Sequence, residues 1–378
     1  MKYRRFGGSG FSVSALGFGC MRLPVENRDP GAISQDEAIG MIRHSLDNGV
    51  TYVDTAYNYH RGESEGLVGR ALAGRRDNVT LATKLPLWLC DSPDDFERIL
   101  TEQLDRLGTD YVDCYLLHSL NKGLWDKAHS MGILDFLERE LERGRIRHAG
   151  FSFHDSYDVF TKIVDAYDWE FCQIMLNYVD THYQAGVAGL EYAARKGLAV
   201  VIMEPLRGGK LTVNLPEEIA ETLDAVGEDW SPAEWGLRWV LNRPEVSVVL
   251  SGMSSMAQVE ENLRVASQAE PGSLSDKHLN ALELAREIYL GRMKISCTEC
   301  GYCQPCPSRV AIPDIFSIYN DAAMFNAVES STRFYKGIVQ SDRGAARCVE
   351  CGHCESVCPQ QLPVTKLLKE AHEALTQS

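Results

Sequence analysis

Residues 50–60 read Val50-Thr-Tyr-Val-Asp54-Thr-Ala-Tyr-Asn-Tyr59-His60, and this stretch decides the fold. Val50, Tyr52 and Val53 form a short, mostly apolar run, the pattern of a strand covered on both faces. Asp54 falls where that strand ends, and Tyr59 follows five residues later in a loop. An acid and a phenol at the mouth of a parallel sheet sit where such folds place their chemistry. A phenol has a free pKa of about 10 and becomes a useful proton donor at neutral pH when a cation stands beside it.

Working outward, the pattern alternates. Residues 2–13 suggest a small hairpin turning at Gly7, Gly8 and Gly10, and Ala15–Met21 a first strand. Helical periodicity follows at 34–48, 63–74, 93–107, 133–143, 157–166, 187–196, 233–242 and 257–266. Strand-like runs separate these at 79–85, 111–118, 147–153, 171–176, 198–203 and 246–250. A helical insertion is expected at 216–226 and a closing helix at 276–289. Eight strand–helix units over roughly 290 residues imply a parallel sheet, and favour a closed (β/α)8 barrel over an open doubly wound sheet. No GxGxxG follows the first strand, which counts against a dinucleotide-binding open sheet.

Four side chains fall at or just after expected strand ends: Asp54, Tyr59, Lys84 and His118. In a barrel those ends converge on one face. Lys84 is then the cation that Tyr59 needs, Asp54 holds Lys84 charged, and His118 orients a substrate carbonyl or shuttles a proton. Singly, a Lys or Asp at a strand end is more often a salt bridge or a cap, and a lone His a satisfied structural residue. The force lies in four complementary types at four matching positions.

The totals bound the alternatives. The chain has 378 residues, 44% of them hydrophobic and 24% charged, enough for one large domain and a small one. A net charge of −15 argues against nucleic acid or an anionic membrane as the main partner. No apolar run approaches a membrane span, and MKYRRFGGSG lacks the apolar centre of a signal peptide, so a cytoplasmic location is expected.

The strings LGFGCMRLP, YVDTAYNY, GESEGLVGRAL, ATKL, YLLH, QIMLNY and EPLRGG resemble the aldo-keto reductase superfamily, in its order and across nearly all of residues 1–265. The resemblance implies a (β/α)8 barrel over residues 1–291, a nicotinamide cofactor, and a small-molecule carbonyl or alcohol substrate. It implies that Asp54, Tyr59, Lys84 and His118 are the catalytic tetrad, with Tyr59 as general acid. It also implies a cofactor cradle drawn from Gly19, Cys20, Met21, Asp54, Ser152, Gln173, Met203, Pro205, Leu206, Gly208, Gly252, Gln258, Glu261 and Asn262. Some positions depart from the family. Ser152 is followed by Phe153 and His154 where Ser-Asn is common, and Met203 stands where an aromatic ring often covers the nicotinamide. The 2′-phosphate stretch offers Gly252 and Gln258 where Lys and Arg are frequent. A phosphate without cationic partners is poorly held, which points to NADH over NADPH. Loop aromatics Trp88, Trp125, Tyr178 and Tyr183 suit either an apolar pocket or simple packing.

The cysteines divide. Cys20, Cys90, Cys114 and Cys172 are scattered among strand-like neighbours, as buried packing residues are. The other eight lie in two runs, Cys297-x2-Cys300-x2-Cys303-x2-Cys306-Pro307 and Cys348-x2-Cys351-x2-Cys354-x3-Cys358-Pro359. The second has bacterial ferredoxin spacing, in which the last cysteine ligates the other cluster. By that logic Cys297, Cys300, Cys303 and Cys358 hold one 4Fe–4S cluster, and Cys348, Cys351, Cys354 and Cys306 a second. Zinc sites use separated pairs more than triplets closed by Cys-Pro. The first run is one residue short in its last gap, which bears on Cys306. The 41 residues between the runs include a helical stretch at 313–325, so residues 292–378 resemble a mainly helical ferredoxin-type module. A reductase with an appended cluster module is the first reading; an electron carrier whose barrel serves as a docking, sensing or flavin-binding scaffold is the competing one. Hydride moves two electrons and a cluster takes one, so coupling them calls for a flavin or a redox partner protein.

Overall fold

The computed structural model describes residues 1–377. Two short strands, β1 (Tyr3–Arg5) and β2 (Ser12–Ser14), pair as an antiparallel hairpin. Eight more follow: β3 (Leu16–Gly19), β4 (Tyr52–Asp54), β5 (Thr80–Leu85), β6 (Val112–Leu120), β7 (Ile146–Phe153), β8 (Phe171–Met175), β9 (Ala199–Met203) and β10 (Val246–Gly252). They are parallel and close in the order β10-β3-β4-β5-β6-β7-β8-β9. The expected (β/α)8 barrel is therefore present, with the expected insertion as the helix Glu217–Asp224.

Alternation along the strands builds the interior. Phe6, Val13, Tyr52, Ala82, Cys114, Leu116, Phe171, Ala199, Val201, Val248 and Leu250 form one buried cluster. Phe6 comes from the hairpin turn and is fully buried against Tyr52 and Phe171. The hairpin thus plugs the end of the barrel where the strands begin. Gly150 contributes its lack of a side chain: a Cβ there would lie 2.5 Å from the Phe171 ring. Small and large residues interleave in this core because only such filling leaves no void.

By packing, the chain divides into two compact units. One comprises Met1–Gly208 and Trp230–Ser275; the other comprises Gly209–Asp229 and the chain from Asp276 onward. A single boundary at 291 is the expectation from sequence. The helix Asp276–Gly291 groups with the later residues because it packs on Glu217–Asp224, and its Tyr289 ring lies 4.9 Å from Phe325.

The second unit is helical, as expected. Its core joins Ile295, Val310, Ile312, Ile315, Phe316, Tyr335, Val364, Leu368 and Leu375. The helix Ile312–Met324 matches the expected stretch. The helix Val328–Gln340 is not announced by the sequence, because its buried residues are Ser331, Thr332 and Tyr335, of which only the last is strongly apolar. Lys122–Ser130 is likewise unannounced: it buries only Ala128 and starts on an Asn121 cap that accepts from the Leu124 N–H. Among the described residues no helix is long and apolar enough to cross a membrane.

The plug makes a stability prediction. Phe6→Ala should destabilise the barrel by about 3–5 kcal/mol, the usual cost of emptying a buried phenylalanine site. Urea unfolding of the whole chain, followed by tryptophan emission, reads this as an earlier barrel transition; an unchanged midpoint would show that the hairpin is not part of the core.

Candidate active site and cysteine-lined hollows

The alternation that builds the core also builds the site. Two residues beyond Tyr52, Ala82, Leu116, Phe171, Val201 and Leu250 stand Asp54, Lys84, His118, Gln173, Met203 and Gly252. Strand residues two apart share a face, so the layer above the apolar core is polar and lies at the C-terminal mouth.

Lys84 is its centre. The side chain is fully buried, and its Nζ donates to Asp54 Oδ1 at 2.6 Å, to the Thr55 carbonyl at 2.7 Å and to Tyr59 Oη at 3.3 Å. All three ammonium donors are used. Burial opposes the charge, but Asp54 and Tyr59 outweigh it and hold the Lys84 pKa above its ordinary value. The strand beneath is fixed by a second buried network. Glu65, in the helix Glu63–Leu72, accepts from Thr83 Oγ1 and Gln103 Nε2, and Gln103 donates also to the Lys84 carbonyl.

Tyr59 is raised above the usual phenol value, because burial outweighs the pull of Lys84. The sequence expectation counted only the cation; the site also desolvates the phenol, which keeps its proton firmly in place. His118 is pushed well below the usual imidazole range by burial, then by Lys84 and His154. It is therefore neutral. Its ring lies 6.1 Å from that of Tyr59 and 5.0 Å from that of Trp88. It does not end its strand as expected: β6 continues to Leu120 with an irregular register after Leu117, and the Ser119 N–H turns to Ser152 Oγ at 2.7 Å. Of the four loop aromatics, Trp88 stands beside the tetrad. Trp125 packs on Trp169, and Tyr178 is buried.

Several polar atoms around this layer are buried with no hydrogen-bond partner among the described residues, among them Asp54 Oδ2, His118 Nδ1 and Gln173 Oε1. Gln173 Nε2 reaches Met203 Sδ at 3.5 Å. Gly19, Ser152, Gln173, Met203 and Gly252 lie along adjoining strand ends, and an orphaned amide acceptor among them suits a carboxamide such as that of nicotinamide. Cys20 is buried and Met21 lies exposed on the rim. The remaining cradle residues are partly committed to the protein. Leu206 packs on Gly236, and Pro205 is buried beside it. Asn262 donates to Ser251 Oγ, Gln258 accepts from the Ser254 N–H at 2.8 Å, and Glu261 accepts from Ser231 Oγ.

One residue beside the expected cradle is invisible in sequence. The NADH expectation assumed no cation near Gly252, yet Arg22 lies there. Its stem runs along Gly252, and its guanidinium covers Gly208, where a Cβ would fall 2.6 Å from Nη2. Arg22 thus sets a cation beside Gly208, with its stem along Gly252, outside the stretch from which the NADH expectation is read. Arg22 arrives from the loop after β3, far from the 252–262 stretch that the motif inspects.

In the second unit the eight module thiols line two hollows of about 380 and 350 Å³. The first is lined by Cys297, Cys300, Cys303, Cys354 and Cys358. The second is lined by Cys303, Cys306, Cys348, Cys351 and Cys354, so Cys303 and Cys354 line both. Each expected quartet falls within the lining of one hollow, and two thiols are shared between the hollows. Ile312 and Val364 line the first hollow, and Val310 and Leu368 the second, which gives each an apolar wall. Among the described residues no group of three His, Cys, Asp or Glu is set to hold a single metal ion. The segment before Cys297 is fixed by buried Asn320, which accepts from the Lys294 and Ile295 N–H groups and donates to the Ile295 carbonyl. Cys20, Cys90, Cys114 and Cys172 are buried, as packing residues should be.

Comparison with known proteins follows the same division. Residues 296–362 match the profile described as a 4Fe-4S dicluster domain. The chain is 28% identical over 309 residues to an L-galactose dehydrogenase from Arabidopsis thaliana, covering 76% of this chain and 95% of that one. It is 26% identical over 288 residues to a pyridoxine 4-dehydrogenase from Escherichia coli, covering 73% and 96%. The holo form of an aldo-keto reductase from Bacillus halodurans superposes with a TM-score of 0.63 at 27% identity, over 75% of this chain and 96% of that one. With the aldo/keto reductase profile matching residues 15–283, well over half its length, the chain belongs to the aldo/keto reductase family and carries a C-terminal 4Fe-4S domain.

Proposed function

We propose that the barrel is an NAD(P)H-dependent carbonyl reductase, run in reverse as an alcohol dehydrogenase, with Tyr59 as general acid. The observation that carries this reading is Lys84 Nζ, buried and charged, held between Asp54 at 2.6 Å and the Tyr59 hydroxyl at 3.3 Å. Bound nicotinamide supplies a hydride to the substrate carbon. The residues of the chain do the rest. Tyr59 donates its phenolic proton to the carbonyl oxygen as charge develops there, and Lys84 stabilises the phenolate left behind. Asp54 keeps the ammonium charged and aimed. His118, neutral, orients the carbonyl by a hydrogen bond rather than by charge. Trp88, half-exposed beside His118, gives the substrate an apolar wall.

The module reading is two 4Fe–4S clusters, in the quartets Cys297, Cys300, Cys303, Cys358 and Cys348, Cys351, Cys354, Cys306. Its support is that each quartet falls within the lining of one hollow, with Cys303 and Cys354 lining both. Cys306, despite the short gap in its run, lines the second hollow together with Cys348.

Three outcomes follow. Tyr59→Phe should lower carbonyl reduction by about 10²–10⁴-fold while NAD(P)H binding, read by quenching of protein fluorescence, persists; retained turnover removes Tyr59 from the mechanism. A general acid works only while protonated, so reduction is lost as pH rises through its pKa. With Tyr59 raised by burial and His118 neutral, kcat/KM for reduction should be level from about pH 6 to about pH 9, without an imidazole inflection near 6.5. Anaerobically purified chain should contain about eight iron and eight sulfide ions, and Cys306→Ser should lower that count and alter the reduced-state electron paramagnetic resonance spectrum; about one zinc per quartet would overturn the cluster reading.

A further inference from the structure

Directly after Tyr59 the backbone does something costly. His60, Arg61 and Gly62 all have positive φ, at 52°, 56° and 96°. Two of them carry Cβ atoms, and each such residue in the left-handed region costs roughly 1 kcal/mol or more. A strained turn beside the proton donor persists only where its surroundings over-determine it.

The surroundings are the excursion that follows β3. His60 Nδ1 lies 2.8 Å from the Pro30 carbonyl, so it carries the hydrogen and donates. The Leu23 N–H donates to His60 Nε2 at 3.1 Å, so that nitrogen is a bare acceptor. Both bonds together require one tautomer of a neutral imidazole. Partial burial, which lowers the His60 pKa, favours the same state. Arg61 adds an ion pair to Asp29 at 3.0 Å, exposed and so of little weight.

The excursion is closed on itself. The Glu26 N–H donates to the Ala32 carbonyl and the Ser34 N–H to the Pro24 carbonyl, and Val25 and Ile33 form an antiparallel bridge. Holding it at Leu23 and Pro30 therefore holds it as a body. Leu23 is buried, and the residue before it is Arg22, whose guanidinium covers Gly208 and whose carbonyl accepts from Ser254 Oγ at 2.8 Å.

We propose that His60 is a positioning residue: its imidazole latches the loop after β3 to the tyrosine loop, and through the Leu23 peptide it holds Arg22 across the cofactor cradle. One side chain then links the proton donor to the cationic edge of the nicotinamide site. The inference rests on the cofactor reading proposed above.

Three substitutions separate the latch from backbone strain. Asparagine tolerates a left-handed backbone and can keep the donor to Pro30, but it is too short to reach Leu23. Glutamine keeps an acceptor at the outer position for the Leu23 N–H and relieves no strain. Alanine keeps neither bond. Dissociation constants for NADH and NADPH are measured on the full-length holoprotein by fluorescence quenching, with the melting temperature taken in parallel. His60→Gln should bind within about threefold of wild type, and His60→Ala and His60→Asn about tenfold more weakly, the scale of one lost hydrogen bond. If the alanine variant does not fold, the glutamine–asparagine pair carries the comparison. Equal binding by all folded variants, or asparagine matching wild type while glutamine fails, overturns the latch. A wild-type protein that binds neither cofactor overturns the cofactor reading and the latch together, whereas a wild type that binds with indifferent variants overturns the latch alone.

Discussion

A buried ammonium governs the mouth of the barrel. Lys84 is wholly removed from water, and an ion of that size placed in a protein interior without partners costs several kcal/mol. Its three donors must be met, and Asp54, the Thr55 carbonyl and Tyr59 meet them. Two of those partners belong to the end of β4 and its first loop residue. The lateral register of β4 on β5, with Asp54 opposite Ala82, is what brings carboxylate and amine together. A slip of one residue would turn Lys84 out of the barrel and leave Asp54 facing an apolar wall.

Beneath that layer, a second network carries the strain of burying polarity. Glu65, Thr83 and Gln103 are fully buried and bonded to one another, and Tyr115 Oη donates to Gln103 Oε1. Because Gln103 also binds the Lys84 carbonyl, the amphipathic helix Asp94–Leu107 fixes the backbone from which the buried amine rises. A network of this kind is stable only when complete. Its members thus belong to the site although none of them reaches the mouth.

The second unit follows different physics. Its apolar core is small, and Cys297, Cys303, Cys306 and Cys348 pack against it as partly buried residues. Thiols around open hollows contribute little until they are bound, and metal binding then becomes part of the folding free energy. Buried Asn320 and the Tyr335 hydroxyl, which accepts from the Ala345 N–H, set the entry of each cysteine run. Both act through backbone hydrogen bonds, so neither leaves a periodic trace in sequence.

The sequence by itself determined whatever repeats locally. Strand alternation places Asp54, Lys84 and His118 on the inner face two residues beyond apolar partners, and the spacing of thiols marks out the 4Fe-4S domain. These follow from a period of two and from the reach of a short loop. Tertiary structure alone decided what comes from afar. Arg22 reaches Gly208 and Gly252, His60 reaches Leu23 and Pro30, and Trp88 reaches His118. It also decided that desolvation, and not only a neighbouring cation, sets the phenol of Tyr59. The physical reason is that a chain encodes its periodicities residue by residue, whereas loop encounters and local dielectric exist only once the barrel has closed and water has been driven from its mouth.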